Sequence, residues 1–428
     1  MITSMLSSAW FLLMHGGWLV FLVLMIYVFY YIYMDAIHDE FLSKGDPVLL
    51  SIRISRENLQ STLAVEQIFA QLHAIYSGFT FAEVYLEGKM NFTISLEIVS
   101  LGGKVSFFVR TPRRYIGLIE TAFYARYPSA EILEVTDYMT NLKRWTPEAS
   151  WDVWGTEMKL IKDFPYPLKT YGEFEHPTAE EKIIDPLAAL IEALNKAESH
   201  ELLAVQILLR PIADSEWAPE AIAMSKKLKK DFRTGATGSK AAAPSKMGKL
   251  VREVSSELLP FLDGGSAEEE AENGQLSPGE RLILEAIEHK ASKPGYQSKI
   301  RLLHIAPKDR FDGSKKGAII GSFRQLADSN LNGLKPDTNL TWTAHSYVFL
   351  KGLEQPYLDY KTESKKARFV EAYADRSMWL GLPTMVLNTE EIATLYHFPI
   401  SSSEGVSQGN VDNIAVRKGQ PPADLPIM

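Results

Sequence analysis

The stretch from Phe92 to Val109 reads FTISLEIVSLGGKVSFFV, and it decides the fold of the segment around it. On both sides of Gly102 and Gly103, apolar residues alternate with other residues at the two-residue period of β-strands. Adjacent glycines tolerate the positive φ angles of a tight turn between antiparallel strands. The sequence therefore predicts a β-hairpin.

The flanking segments extend this hairpin to a β-α-β-β-α-β pattern within residues 46–145. Before it, alternation over residues 50–54 predicts a half-buried strand, and residues 65–76 carry an apolar stripe at helical spacing. After it, a helix is predicted over residues 115–127 and a last strand over residues 132–135. This order is that of the ferredoxin-like, or split βαβ, fold. That fold hosts many functions, so it indicates none by itself.

Residues 146–400 are predicted to form a second, larger α+β module with a helical insertion at about residues 231–276. Candidate strands lie within 151–174, over 203–209, over 300–305 and over 341–349. Candidate helices begin at Asp185-Pro186, near Trp217, at Ser277-Pro278, near Ile319 and at Asn388. A capping side chain before proline, or Asn388 three residues before Glu391, is typical of a helix start. Residues 401–428 indicate an extended C-terminal tail.

Residues 1–45 contain an uncharged apolar stretch from Trp18 to Met34, WLVFLVLMIYVFYYIYM. As a helix it rises about 25 Å, and extension back to Trp10 would match a hydrocarbon core of ~30 Å. A cleaved signal peptide is disfavoured because no basic side chain precedes Lys44. A buried helix of a soluble protein is disfavoured because the apolar run is so long. We therefore expect a single-pass transmembrane anchor.

The positive-inside rule gives the expected orientation of this anchor. No basic side chain precedes the apolar stretch, whereas Lys44, Arg53 and Arg56 follow it. The body is therefore expected to lie in the cytoplasm, attached to the inner (cytoplasmic) membrane.

The composition and the motifs limit the chemistry of the chain. The sequence has no cysteine, which excludes disulfides, thiolate metal sites and cysteine nucleophiles. A net charge of −8 argues against nucleic-acid binding over the whole surface. No P-loop, no nucleophile elbow and no histidine pair at zinc-binding spacing occurs. The sequence therefore predicts no catalytic residue, no metal ligand and no cofactor.

One basic cluster is formed by Arg110, Arg113 and Arg114, where the third predicted strand meets the second helix. A helix N-terminus favours phosphate, so these arginines are candidates for an anion or partner contact. The alternative is an ordinary solvated strand end, with the arginines paired to Glu120 or to a neighbouring subunit.

A second basic cluster begins the insertion and contains Lys226, Lys227, Lys229 and Lys230. Lysines grouped in this way could contact DNA or the anionic inner leaflet of a membrane. Alternatively, they pair with the acidic residues between Glu268 and Glu272. The sequence leaves both readings open.

Several stretches resemble a known family. Residues 96–98, 110–115 (RTPRRY) and 124–128 (YARYP) are similar to the membrane-proximal region of TraG/HerA-type conjugative coupling proteins, which belong to type IV secretion-like machines. Residues 387–399 (LNTEEIATLYHFP) and 421–426 (PPADLP) resemble the strap that leads to the ATPase domain of those proteins.

In the larger relatives a Walker-type motor follows, whereas this sequence ends at Met428. The resemblance implies a membrane and docking portion that works with a separate hexameric motor ATPase. It also implies a homo-oligomer, because a ring-shaped motor needs a ring of anchors. It implies no catalytic residue, because none of the matching positions is catalytic in that family.

The leading functional hypothesis is therefore a non-catalytic, membrane-anchored component of a DNA- or protein-translocation system. One alternative is a membrane-tethered enzyme with a site that its motifs do not reveal. Another is a structural or sensory membrane scaffold unrelated to secretion.

Overall fold

A computed structural model describes residues 18–55, 58–174, 185–233, 276–337, 339–341, 351–400 and 411. These residues form a mixed helix-and-sheet body behind an N-terminal apolar helix. The helices are α1 Trp18–Ser43, α2 Thr62–Leu72, α3 Phe81–Tyr85, α4 Ile116–Tyr124, α5 Ala188–Asn195, α6 Asp214–Arg233, α7 Pro278–Ala291, α8 Lys315–Ser322, α9 Lys351–Ala374 and α10 Thr389–Leu395. The strands are β1 Pro47–Arg53, β2 Ile94–Leu101, β3 Lys104–Pro112, β4 Glu131–Val135, β5 Trp151–Leu160, β6 Leu202–Pro211, β7 Gly295–Pro307, β8 Leu334–Pro336 and β9 Met385–Asn388.

The strands form one antiparallel sheet in the order β4-β1-β3-β2-β6-β7-β5-β8, and β9 pairs with the start of β7. The first four strands along the chain lie in the order β4-β1-β3-β2. The next four repeat that order as β8-β5-β7-β6. The two halves meet where β2 pairs with β6, from Ile94 opposite Leu209 to Leu101 opposite Leu202.

The predicted hairpin is confirmed by the β2–β3 pairing, which ends with Leu101 opposite Lys104. Gly102 and Gly103 have φ angles of +59° and +82°, which side chains other than glycine rarely adopt. A Cβ atom on Gly103 would also lie 2.8 Å from the carbonyl oxygen of Ala197. This turn therefore depends on glycine for both its conformation and its packing.

Both faces of the sheet are covered. Helices α2, α4, α5, α8 and α10 contribute to the larger core on one face. On the other face, Leu49 and Phe108 share a core with Met139 and with Phe369 of α9. The prediction of a half-buried first strand was therefore wrong, and Ser51, expected in solvent, is buried.

Helix α1 continues nine residues beyond the predicted end of the apolar stretch and reaches Ser43. Its last turns contact the body, where the ring of Phe41 lies 5.0 Å from that of Phe92. The predicted extension back to Trp10 lies outside the described residues. Within the described chain, α1 is the one helix long and apolar enough to cross a membrane, with a mean hydropathy of 2.0.

Several other predictions fall wholly or partly outside the described residues. Of the predicted strand at 341–349, only Thr341 is described, and it is not in a strand. The insertion from 234 to 275 and the C-terminal tail are also outside, except Val411, which forms a parallel bridge with Val105. Helix α9 was not predicted.

A row of buried polar side chains crosses the junction between the two halves. Glu97, Gln206, Arg301 and Glu157 occupy paired positions on β2, β6, β7 and β5. Gln206 Nε2 donates to Glu97 Oε1 at 3.1 Å, and Arg301 Nη1 donates to Gln206 Oε1 at 3.4 Å. Arg301 Nε donates to Glu157 Oε1 at 2.8 Å. Each side chain thus finds a partner on the next strand, as buried polar groups require.

Arg376, just after α9, closes one end of this row. Its guanidinium donates to both carboxylate oxygens of Glu97, at 2.9 and 3.1 Å, and to Asp137 at 2.5 and 3.0 Å. Burial alone would raise the pKa of Glu97, but the charge and hydrogen bonds of Arg376 lower it to about 2. Arg376 has a φ angle of +56°, so this contact is made from a backbone conformation uncommon outside glycine.

Candidate membrane-proximal anion site

The ends of several strands gather beside the C-terminal end of α1. Strand β1 begins at Pro47 and pairs there with Pro112, the last residue of β3. The backbone N–H of Arg113 then donates to the carbonyl of Asp46 at 3.1 Å. The connection from β3 to α4 is therefore held against the connection from α1 to β1.

A cavity of about 440 Å³ lies between these connections. Its described lining consists of Phe41, Lys44, Gly45, Asp46, Phe92, Arg113 and Arg114. A smaller cavity of about 200 Å³ lies on the other side of Phe41 and Arg114 and includes Glu83 and Lys89. The structure thus places two of the three predicted arginines in one cavity at the end of α1.

Arg113 is held by two carboxylates. Its Nη1 and Nη2 atoms donate to the two oxygens of Glu134 at 2.9 and 2.8 Å, and its Nε donates to Asp46 at 2.6 Å. Hydrogen bonding to Glu134, followed by that to Asp46, raises the pKa of Arg113 above its ordinary value. Its partners are not the predicted Glu120. Because the Nε and both Nη atoms of Arg113 already donate to carboxylates, Arg113 fixes the shape of the cavity more than it attracts a ligand.

Arg114 is the better candidate for an anion contact. Its guanidinium carbon lies 4.2 Å from the centre of the Phe92 ring and 4.8 Å from that of Tyr115. Within the described part of the chain it forms no ion pair with a carboxylate. A guanidinium held against aromatic faces keeps its N–H groups available for phosphate or carboxylate.

Arg110 is separated from this cavity. It is largely buried, and burial followed by the charge of Arg376 lowers its pKa, while Glu97 and Asp137 oppose that effect. Arg110 therefore belongs to the surroundings of the buried polar row.

Lys226, Lys227, Lys229 and Lys230 lie exposed on the last turns of α6. This helix pairs with α7 through a small core that includes Trp217, Ala221 and Ile287. The structure does not bring these lysines to the cavity of about 440 Å³ at the end of α1. Their predicted acidic partners, Glu268 to Glu272, lie outside the described residues.

Lys299 has a shifted pKa, and it was not among the residues predicted from the sequence. Burial lowers its pKa to about 8, although the charge of Glu157 opposes the shift. Its Nζ donates to the carbonyl of Leu380 at 2.8 Å, beside a cavity of about 250 Å³. Its position inside an alternating strand gives no signal in the sequence, because the burial comes from the segment around Leu380.

Among the described residues, no group of three or more histidine, aspartate or glutamate side chains could hold a metal ion. A comparison with curated proteins finds no match. A family model described as a domain of unknown function, DUF8128, matches residues 34–409, which is the whole described body without the apolar part of α1. The chain therefore belongs to the DUF8128 family.

Proposed function

We propose that this chain is a single-pass, inner-membrane docking component of a type IV secretion-like translocation system. It is non-catalytic, and its body lies in the cytoplasm and binds a separate hexameric motor ATPase. The observation that carries the proposal is α1, whose apolar side chains from Trp18 to Tyr33 are all exposed and which continues directly into the body. Such a helix is suited to lipid on all sides.

The charges at the end of α1 support the proposed orientation. Lys44 follows the apolar stretch, and the fold brings Arg113 and Arg114 to the same place. Basic groups beside a membrane span favour the cytoplasmic side and the anionic headgroups found there.

The strand order supports two ferredoxin-like modules, which we place at residues 46–145 and 146–400. In each half the four strands have the order fourth, first, third, second, and in the second half α6 and α7 lie between the second and third strands. Pairing of β2 with β6 makes the two modules one platform. A platform of this kind provides a broad surface for a motor, and the lysines at the end of α6 provide a candidate contact for DNA.

We expect full-length protein to remain in the membrane pellet after carbonate extraction. Leu24→Arg combined with Ile26→Arg should move it to the supernatant, because each arginine at the centre of a span costs about 2.5–3.5 kcal/mol. The control is Leu282→Arg combined with Ile222→Arg, which places the same charge at two exposed apolar positions on α7 and α6. Release of the unmodified chain, or loss of an N-terminal tag by cleavage, would contradict the anchor.

The docking proposal predicts nucleotide-dependent capture of a ring ATPase. The full chain in nanodiscs is used as bait for a purified motor ATPase of the same organism, with ATP, ADP or no nucleotide. We expect at least tenfold more ATPase bound in one nucleotide state than on nanodiscs carrying an unrelated single-pass protein. Equal binding in every state would rule out this function, and nucleotide turnover by the chain alone would favour the enzyme alternative.

A further inference from the structure

The short helix α3 lies directly against α1. Tyr33 Oη of α1 donates to the backbone carbonyl of Tyr85 at 3.3 Å, and the rings of Tyr30 and Tyr85 are 6.4 Å apart. After α3, Gly88 has a φ angle of +65°, and a Cβ atom there would lie 2.4 Å from the carbonyl oxygen of Ile37. These contacts, made at Tyr85 and at Gly88, fix the position of α3 along the axis of α1.

That level lies within the apolar part of α1. Tyr30 precedes Asp35, the first charged residue of the helix, by five positions, or about 7.5 Å of helix. If α1 spans a bilayer, Tyr30 and Tyr33 occupy the boundary between hydrocarbon and headgroups, where tyrosine is enriched. Helix α3 then lies at the same boundary.

Helix α3 presents large apolar side chains away from the body. Phe81 is 77% exposed and Leu86 is 71% exposed. The helix is held in shape by a capping box between Thr80 and Glu83. Lys89 Nζ lies 2.9 Å from carboxylate oxygens of both Glu83 and Glu87, and it compensates one of these two negative charges.

An independent pair of exposed apolar residues lies on another side of α1. The Trp379 ring stacks on that of His38 with centroids 6.2 Å apart, and His38 is only one helical turn beyond Met34. The Arg210 guanidinium lies 4.8 Å from the Trp379 ring. Trp379 and its neighbour Leu380 are both exposed. Tryptophan beside a cation is typical of the headgroup region.

We infer that α3 is a second membrane contact, which inserts Phe81 and Leu86 into the interfacial layer of the bilayer that α1 spans. This inference rests on the proposed anchor and goes beyond it, because an anchor alone would leave the body free to move on its tether. Continuity with α1 identifies lipid as the occupant: the exposed apolar residues at α3 adjoin a helix whose own apolar side chains are exposed from Trp18 to Tyr33. Contact at α3, together with Trp379, would hold the body in one orientation on the membrane.

The absence of cysteine in the sequence makes a labelling test direct. Single-cysteine variants Phe81→Cys and Leu86→Cys of the full chain are spin-labelled in nanodiscs with anionic lipid. Accessibility to oxygen, which concentrates in lipid, is compared with accessibility to a water-soluble nickel chelate. Ile26→Cys on α1 is the lipid reference, and Leu59→Cys, at a 76% exposed position beyond the far end of β1, is the matched water reference.

We expect labels at 81 and 86 to favour oxygen, as the label at 26 does, while the label at 59 favours the nickel chelate. If position 26 favours oxygen but 81 and 86 favour nickel, α3 lies in water and the inference is wrong, while the anchor stands. Low accessibility to both reagents at 81 and 86 would mean a protein contact and would also overturn it. If position 26 itself favours nickel, the proposed anchor fails, and this inference fails with it.

Discussion

Replacing Glu97 by alanine is expected to lower the free energy of unfolding by about 3–5 kcal/mol, the usual cost of removing one partner of a buried ion pair. The change leaves the buried Arg376 guanidinium with Asp137 as its remaining carboxylate partner and removes the acceptor for Gln206 Nε2, Ser95 Oγ and Tyr138 Oη. Unfolding of the detergent-solubilised full chain by urea, followed by tryptophan fluorescence, measures the loss.

The matched control is Glu40→Ala, which breaks the exposed pair between Glu40 and Lys44. Water and salt screen exposed pairs of this kind, so the control should be nearly neutral. A similar loss in both variants would mean that the buried row contributes no more than a surface pair.

The same pair predicts a specific acid sensitivity. Arg376 lowers the pKa of Glu97 from 4.5 to about 2 against the effect of burial, so the carboxylate stabilises the fold above pH 4.5. That contribution, roughly 3 kcal/mol, is lost as the pH falls from 4.5 towards 2. The Glu97→Gln variant lacks this titration. Its free energy of unfolding should therefore fall less than that of the unmodified chain over this pH range. An equal fall in both proteins would show that Glu97 is not the group that titrates.

Gly155→Val is expected to cost about 3 kcal/mol or more. A Cβ atom on Gly155 in β5 would lie 1.9 Å from Cε1 of Phe369, a buried residue of α9. Overpacking of this kind forces side chains or backbone to shift. The backbone has little freedom there, because Gly155 N–H donates to Thr341 Oγ1 and its carbonyl accepts from the same hydroxyl. Urea unfolding measures the loss.

Two further variants make this prediction specific. Combining Gly155→Val with Phe369→Ala removes the clash, so the double variant should lose at least 1 kcal/mol less than the sum of the single losses. Gly317→Ala in α8 is the glycine control, since nothing lies within 4 Å of its added Cβ. That change should stabilise the chain by up to about 1 kcal/mol. Additive losses in the double variant would show that Phe369 is not the obstacle.

Local signals in the sequence predicted the parts of the fold that local physics determines. Gly102 and Gly103 require no knowledge of the rest of the chain to indicate a tight turn. Asn388 and Glu391 likewise form the predicted capping box, because both partners lie within one helical turn. The apolar stretch of α1 is of the same kind, since its signal is composition and length.

The second face of the sheet could not be predicted because its cover comes from far along the chain. Among the described side chains of α9, those that share a core with the sheet lie in its last turns and include Phe369 and Tyr373, whereas the sequence before them is mostly polar. No amphipathic pattern therefore marks it. Without α9, the alternation over residues 50–54 indicated that Ser51 faces solvent.

The candidate site was predicted in composition but not in geometry. Arg113 and Arg114 stood out as a basic pair, yet their roles depend on Glu134, which pairs with Arg113 across strands, and on Phe92 beneath Arg114. Arg110 precedes Arg113 by only three residues, but it lies among the charges of the buried row. These partners depend on strand register, which the sequence alone did not fix.

The position of β1 has a mechanical consequence. This strand follows α1 after only three residues and is paired on one side with β3 and on the other with β4, antiparallel to both. With α1 in a bilayer as proposed, a force that draws the body away from the membrane therefore pulls along the length of β1. It loads the hydrogen bonds of both ladders together instead of opening them in succession. The resistance of the whole tether to tension is then set by this one strand.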